Sequence, residues 1–237
     1  MVKKILITGG SGRFGQIFKK YDSKFTIISP SKKKLNILKF KDVLSYITKT
    51  KPDYLIHLAG LSRPMDIHDK DIVRSIDLNI IGTANITKAC AINNVKLIYF
   101  STHYVYEGKK GNYKESDPIL PVNNYAWSKL GGEASVQLYK NSLILRVCMT
   151  EKPFVHKSAF KDVMTNFLFH EEVVPIVYKL LDCKGVVNIG GKKQSIFDFA
   201  YKNNKTVDKI YIKKTNVKSI PINSTLNLNK LKLLIKK

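Results

Sequence analysis

Lys3-Lys4-Ile5-Leu6-Ile7-Thr8-Gly9-Gly10-Ser11-Gly12-Arg13-Phe14-Gly15 is the stretch that decides the fold. Its start resembles a signal peptide, but the apolar run lasts only a few residues before Gly9-Gly10, so it reads as a first strand. Gly9, Gly12 and Gly15 then follow as G-x-x-G-x-x-G between that strand and a helix over Phe14 to Tyr21. Glycine is needed at each place for its own reason. The first permits the tight turn, the second lets backbone approach a pyrophosphate, and the third lets helix pack closely on sheet. The helix start offers free N–H groups and a positive partial charge to phosphates. The turn is therefore expected to hold a dinucleotide through Gly9, Gly12, Arg13, Phe14 and Gly15.

Downstream, short apolar runs alternate with helical stretches. Phe25 to Ile28 reads as a strand, Phe40 to Lys49 as a helix and Tyr54 to Leu58 as a strand. A long helix follows from about Asp71 to Asn93, then a strand at Leu97 to Ser101, a helix at Asn124 to Tyr139 and a strand at Ser142 to Val147. Such alternation specifies a doubly wound α/β fold with a parallel sheet covered on both faces. The continuous Ile/Leu/Val/Tyr strands fit burial on both sides. After about Cys148 the rhythm loosens. Helices are expected at Glu171 to Leu181, at Ser195 to Asn203 with Ser195 as N-cap, and at Leu226 to Ile235. Strands are expected at Val186 to Ile189 and Lys209 to Lys213. Residues 1–148 are thus expected to form a dinucleotide-binding domain, and 149–237 a small substrate-binding lobe intertwined with it.

The 237 residues, 44% hydrophobic, suffice for one substantial domain with an appendage. No apolar run nears the ~20 residues that cross a bilayer, so a cytoplasmic location and no membrane partner are expected. Cys90, Cys148 and Cys183 match no metal-ligand spacing, and no metal is expected. The net charge of +23 is almost all lysine, with arginine only at Arg13, Arg63, Arg74 and Arg146. Specific nucleic-acid contacts usually rely on arginine and aromatic residues. Lysine scattered along the whole chain reads instead as solvated surface, and no nucleic-acid partner is expected. His57, His68, His156 and His170 read as solvated or structural.

Tyr125 and Lys129 stand four residues apart in Asn124-Tyr125-Ala126-Trp127-Ser128-Lys129, so a helix there places them on one face. A nearby ammonium lowers the cost of a phenolate. A tyrosine tuned this way can exchange a proton at a carbonyl or alcohol carbon. Ser101-Thr102, at the end of a strand, supplies hydroxyls. At the end of the second strand, where a carboxylate would bind the ribose of NAD, stand Ser29-Pro30-Ser31-Lys32-Lys33-Lys34. Ser29, Lys32 and Arg13 make a cationic, hydroxyl-bearing rim that suits the 2′-phosphate of NADP, so NADP is favoured over NAD.

Ile98-Tyr99-Phe100-Ser101-Thr102-His103-Tyr104-Val105-Tyr106-Glu107-Gly108 resembles S-T-D-Y-V-F-x-G of the extended short-chain dehydrogenase/reductases. Tyr113 to Pro121 resembles Y-x-E-x-D-x-x-x-P, and Tyr125 to Glu133 resembles Y-G-x-x-K-x-x-G-E. Pro221-Ile222-Asn223-Ser224-Thr225-Leu226 with Lys230-Leu231 resembles P-x-N-S-x-L…K-L. Within that group the chain is most similar to the dTDP-4-dehydrorhamnose reductases and related sugar-nucleotide reductases of polysaccharide biosynthesis. The resemblance implies NADP-dependent reduction of a keto group on a nucleotide-linked deoxy sugar. Tyr125 would give the proton to the keto oxygen, and Lys129 would bind the nicotinamide ribose and lower the tyrosine pKa. Thr102 would hydrogen-bond the keto oxygen, with Ser101 as fallback in both cofactor and substrate contact. Ala59, Gly60 and Leu61 would form the cofactor loop after the third strand, and Asn36 would lie near the adenine. A homodimer through the helices around 71–93 and 124–139 is a further implication.

The chain departs from that pattern. His103 replaces an aspartate, which makes it a candidate substrate contact. Ala126 replaces a glycine, and Met149 to Phe169 is shorter than the family's substrate-binding insert. Two other readings stay open. One is a cofactor-binding regulatory subunit without catalysis. The other is an epimerase or dehydratase of the same fold, although a dehydratase's Asp-Glu pair is replaced here by His103 and Tyr104.

Overall fold

The computed structural model describes residues 2–21, 24–215 and 220–236. The chain divides into two compact units and passes repeatedly from one to the other. The first takes in residues 1–101, 127–145 and 181–186, and the second residues 102–126, 146–180 and 187–237.

In chain order the elements begin with β1 (Lys4–Thr8), α1 (Arg13–Lys20), β2 (Thr26–Ile28), α2 (Phe40–Thr50) and β3 (Tyr54–His57). The short α3 (Ile67–Lys70) leads into α4 (Ile72–Ile76), a π-helical turn (Asp77–Ile81) and α5 (Gly82–Ile92). Then come β4 (Lys96–Thr102), a 3₁₀ turn (His103–Val105), α6 (Asn124–Gln137) and β5 (Ser142–Val147). The rest alternates short pieces: β6 (Met149–Thr150), β7 (Ser158–Phe160), β8 (Met164–Thr165), β9 (Leu168–Phe169), α7 (His170–Leu180) and β10 (Gly185–Ile189). The last are β11 (Gln194–Ser195), α8 (Ile196–Asn203), β12 (Asp208–Ile210), a 3₁₀ turn (Ile212–Lys214) and α9 (Asn229–Ile235).

The first unit is built on a six-stranded sheet in the order β10-β5-β4-β3-β1-β2. The β1–β2, β1–β3 and β3–β4 pairings are parallel, and register sets Thr8 opposite His57 and His57 opposite Tyr99. Strand side chains alternate between faces. On one face Leu6, Leu55, Leu97 and Tyr99 pack with Val43 and Ile47 of α2, Ile86 and Ala89 of α5 and Val136 of α6. On the other, Phe100 meets Phe14 and Phe18 of α1 edge-on at 5.1 and 6.1 Å. Both sheet faces are thereby closed, as expected of a doubly wound fold.

The second unit is held by three two-stranded ladders: β6 with β9 and β7 with β12, both parallel, and β8 with β11, antiparallel. Ser195 caps α8 as expected, accepting the N–H of Asp198. The expected strand at Lys209–Lys213 stops at Ile210, because the carboxylate of Asp162 takes the N–H of Ile212 and the chain turns there. The expected continuous helix over 71–93 carries a π turn, and its cause lies far away in sequence, at the site itself. The tail helix begins at Asn229 rather than Leu226, since Leu226 bonds back to Asn166.

Candidate active site

The glycine turn forms as its spacing predicts. Gly9 adopts φ +73°, a conformation costly for any residue with a Cβ, and a Cβ there would lie 2.5 Å from the backbone nitrogen of Ala59. The carbonyl of Gly9 accepts from the N–H of Gly12 at 2.9 Å. A Cβ on Gly15 would stand 2.5 Å from that same carbonyl, so only glycine lets α1 start so close to the turn. Gly12 is the N-cap of α1 and brings no side chain to its free N–H groups, which leaves them for an anion.

A cavity of about 280 Å³ opens over this turn. Of the expected cofactor residues, Gly9, Gly12, Lys32, Asn36, Ala59 and Gly60 line it. Ser29 lines a second cavity of about 420 Å³ with Ser31, Lys34 and Tyr46. Arg13, Phe14, Gly15 and Leu61 line neither: Arg13 is exposed on α1, Phe14 packs on Phe18 and Phe100, and Gly15 is buried beneath the turn. The Oδ1 of Asn36 accepts the N–H of Leu38 and shapes the loop locally. Thr8, Ser11, Pro30, Leu35, Ile37, Leu58 and Leu78 also line the first cavity. Apolar residues that sit beside a turn carry no sequence signal that separates them from core.

Leu61 has a different task. Its N–H donates to Oδ1 of Asn79 at 2.7 Å, and its carbonyl accepts from Nδ2 of Asn79 at 2.9 Å. Nδ2 also donates to Oγ of Ser128 on α6 at 2.8 Å. The π turn is what presents Asn79 inward, and π turns are frequent at functional sites. Asn79 thus ties the loop after β3 to α6. Sequence reasoning missed it, since partners 18 and 49 residues away leave no local trace.

His57 is fully buried between hydroxyls. Thr83 donates its own proton to the Asn79 carbonyl, so it must accept from Nε2–H of His57; Nδ1 then accepts from Thr8 at 2.7 Å. Burial, and secondarily the Lys129 charge, push His57 down to about 3, so it stays neutral.

Tyr125 and Lys129 lie one turn apart on α6, whose N-terminus is capped by Oδ1 of Asn123. Tyr125 is half-buried, and its ring meets Tyr104 edge-on at 6.4 Å. Lys129 is half-buried, with its ammonium 4.4 Å from the centroid of the Tyr99 ring. Desolvation brings Lys129 down to about 8, with Glu133 pulling the other way. Thr102 ends β4, and its hydroxyl accepts the N–H of Tyr104 at 3.3 Å, which orients it and leaves its proton to donate. Ser101 is otherwise engaged: its hydroxyl donates to the Glu133 carboxylate at 2.5 Å.

His103 is buried, its ring against Tyr104 and Phe167. Nδ1 faces the Val147 carbonyl at 3.1 Å and must donate to it, so Nε2 is the acceptor it can offer. Burial pushes His103 down to about 4, hence it is neutral where an aspartate would be charged. Also within the second unit, Arg146 donates to Tyr106 and the Glu115 carbonyl, and Asn188 joins Tyr106, Glu115 and Tyr113. Asn223 and Thr225, from the P-x-N-S-x-L stretch, bind the backbone at Gly108 to Tyr113. That motif is a staple on the loop following the Thr102 strand tip.

Cys90 and Cys148 are buried free thiols, and burial pushes Cys148 up to about 12. Among the described residues no His/Cys/Asp/Glu group is placed to hold a metal ion. No described helix is long and apolar enough to cross a membrane.

Methionine adenosyltransferase 2 subunit beta of Xenopus laevis is 30% identical over 155 residues, covering 61% of this chain and 46% of that protein. A dTDP-4-dehydrorhamnose reductase of Aggregatibacter actinomycetemcomitans is 30% identical over 152 residues, covering 62% and 51%. The chain spans about half the length of these curated relatives. Among solved structures, dTDP-4-dehydrorhamnose reductase from Bacillus anthracis in complex with NADP superposes with a TM-score of 0.88 at 22% identity, covering 98% of this chain and 93% of that one. The Bordetella bronchiseptica enzyme WbmG in complex with NAD gives 0.78 at 19%, covering 100% and 88%. At such identities the structures speak for the fold. The model of the RmlD substrate binding domain matches residues 3–183, well over half of the sequence, and the chain belongs to that family.

Proposed function

We propose that the protein is an oxidoreductase that reduces a keto group on a nucleotide-linked deoxy sugar. The observation that carries this is the pair on α6: Tyr125 with Lys129 one turn on, the amine desolvated and brought to about 8. The glycine cradle and the cavity over it fit a nicotinamide dinucleotide, with Gly9, Gly12, Lys32, Asn36, Ala59 and Gly60 lining that cavity. A reduced nicotinamide, when bound, would supply the hydride to the carbonyl carbon. Tyr125 gives its phenolic proton to the carbonyl oxygen, yielding the alcohol. Lys129 holds the ribose and lessens the cost of the phenolate left behind. Thr102 donates to the same oxygen as negative charge gathers there. NADP is the preferred form, since lysines and serines, and no carboxylate, line both cavities after β2.

A second reading draws on the subunit-beta relatives, which match as well as the reductase does. In it the chain binds cofactor and acts on a partner enzyme. The discriminating experiment mixes purified protein with NADPH or NADH and dTDP- or UDP-linked 4-keto-6-deoxy sugars, and follows absorbance of the reduced cofactor. Turnover with at least a tenfold preference for NADPH is expected. Tight NADPH binding without turnover on the whole panel would favour the subunit reading, and equal use of NADH would overturn the NADP assignment.

A further inference from the structure

β4 and α6 face each other through residues that the proposed chemistry does not name. Strand alternation sends Leu97, Tyr99 and Ser101 to one side. Helical spacing sets Glu133 one turn beyond Lys129. Tyr99 donates its hydroxyl to the backbone carbonyl of Lys129 at 2.9 Å, while its ring lies under the ammonium. Ser101 donates to Oε2 of Glu133 at 2.5 Å. Glu133 is 1% exposed, and a carboxylate so buried is costly to keep ionised without a cation and hydrogen-bond donors.

We propose that Glu133 is the positioning residue for Lys129: its carboxylate, clamped by Ser101, keeps the ammonium charged and seated over the Tyr99 ring. This rests on the reductase reading for its consequence, but not for its test. The groups that act on or are felt by Lys129 are Tyr99 from β4, His57 from β3, His68 from α3 and Glu133 from α6 itself. His57 and His68 are both held below the usual histidine value, chiefly by burial, and so stay neutral near pH 8. Glu133 is then the negative charge opposing the desolvation of Lys129. An amine that lost its proton too early would give Tyr125 no electrostatic help.

The test is a carbon-detected NMR titration of lysine side chains in the whole protein, with Lys129 assigned by loss of its signal in Lys129→Arg. In wild type its midpoint is expected near 8. In Glu133→Gln, which keeps an oxygen for Ser101, the midpoint should fall by about one unit, a tenfold loss of proton affinity. An unchanged midpoint in folded Glu133→Gln overturns the proposal. Should that variant not fold, Glu133→Asp, which draws the carboxylate back by one methylene, gives the second measurement: the Lys129 midpoint must fall below that of wild type, and no change overturns the proposal. Where turnover is measurable, the alkaline limb of kcat must move down in Glu133→Gln while the KM for NADPH changes less than threefold. Absence of turnover in wild type would count against the reductase reading alone, since the titration stands without it.

Discussion

The two units hold themselves together by different means. In the first, a continuous sheet is buried on both faces, and its core is apolar side chains from strands and helices at regular spacing. In the second, strands of two or three residues are pinned by side chains that reach backbone: Asn166, Asn188, Arg146, Asn223 and Asp162. The first is secured by area removed from water, which is forgiving of detail. The second adds to a smaller apolar core around Phe154, Ala159, Ala200 and Val207 a set of satisfied polar tethers, which are not. The difference separates a regular sheet frame from a unit whose shape depends on individual contacts.

The sharpest way to break that comparison is Arg146→Ala. It leaves Tyr106 and the Glu115 carbonyl without their cationic donor and should destabilise the protein by about 3–5 kcal/mol in urea unfolding. A loss below about 1 kcal/mol would mean the polar network is dispensable. Leu55→Ala, in the first unit, should cost about 2–5 kcal/mol, because Leu55 is fully buried in the close-packed face. The two are distinguished by rescue: Leu55→Met should recover most of the stability, whereas Arg146→Lys, which cannot reproduce a guanidinium fork, should recover little. Ser195→Ala removes the α8 cap and should cost about 1 kcal/mol by the same unfolding assay.

The smallest effect is one of sign. Lys129 has its folded value lowered from 10.5 to about 8. Below about pH 8 both states carry the proton and the burial penalty is present in full. Between about 8 and 10.5 the unfolded chain holds more protons, so this group makes stability rise with pH. Lys129→Met should abolish that rise, read as the slope of urea-unfolding stability between about pH 8 and 10.5. A slope unchanged in the variant would show that the amine is not desolvated.

How much was legible follows the same division. Glycine spacing and strand alternation are local patterns, so β1, its turn, β4 and the Tyr125/Lys129 face of α6 could be read from the chain. Ser195 could be read too, because a cap acts within one turn. Asn79 could not, since its π turn and its partners at Leu61 and Ser128 exist only after folding. Nor could the engagement of Ser101 by Glu133, or the end of β12 at Ile210, which Asp162 sets from 50 residues away. Gly15 packs α1 against the turn, as its place in the motif predicts, and Arg13 is exposed on α1, whereas the packing of Phe14 on Phe100 and the tether of Leu61 to Asn79 depend on residues distant in sequence.

The most direct measurement compares wild type with Tyr125→Phe for NADPH consumption on a 4-keto-6-deoxy sugar nucleotide, alongside NADPH affinity by fluorescence. A kcat lower by about 10²–10⁴-fold is expected, with affinity unchanged within twofold. A Tyr125→Phe enzyme that turns over like wild type would contradict it.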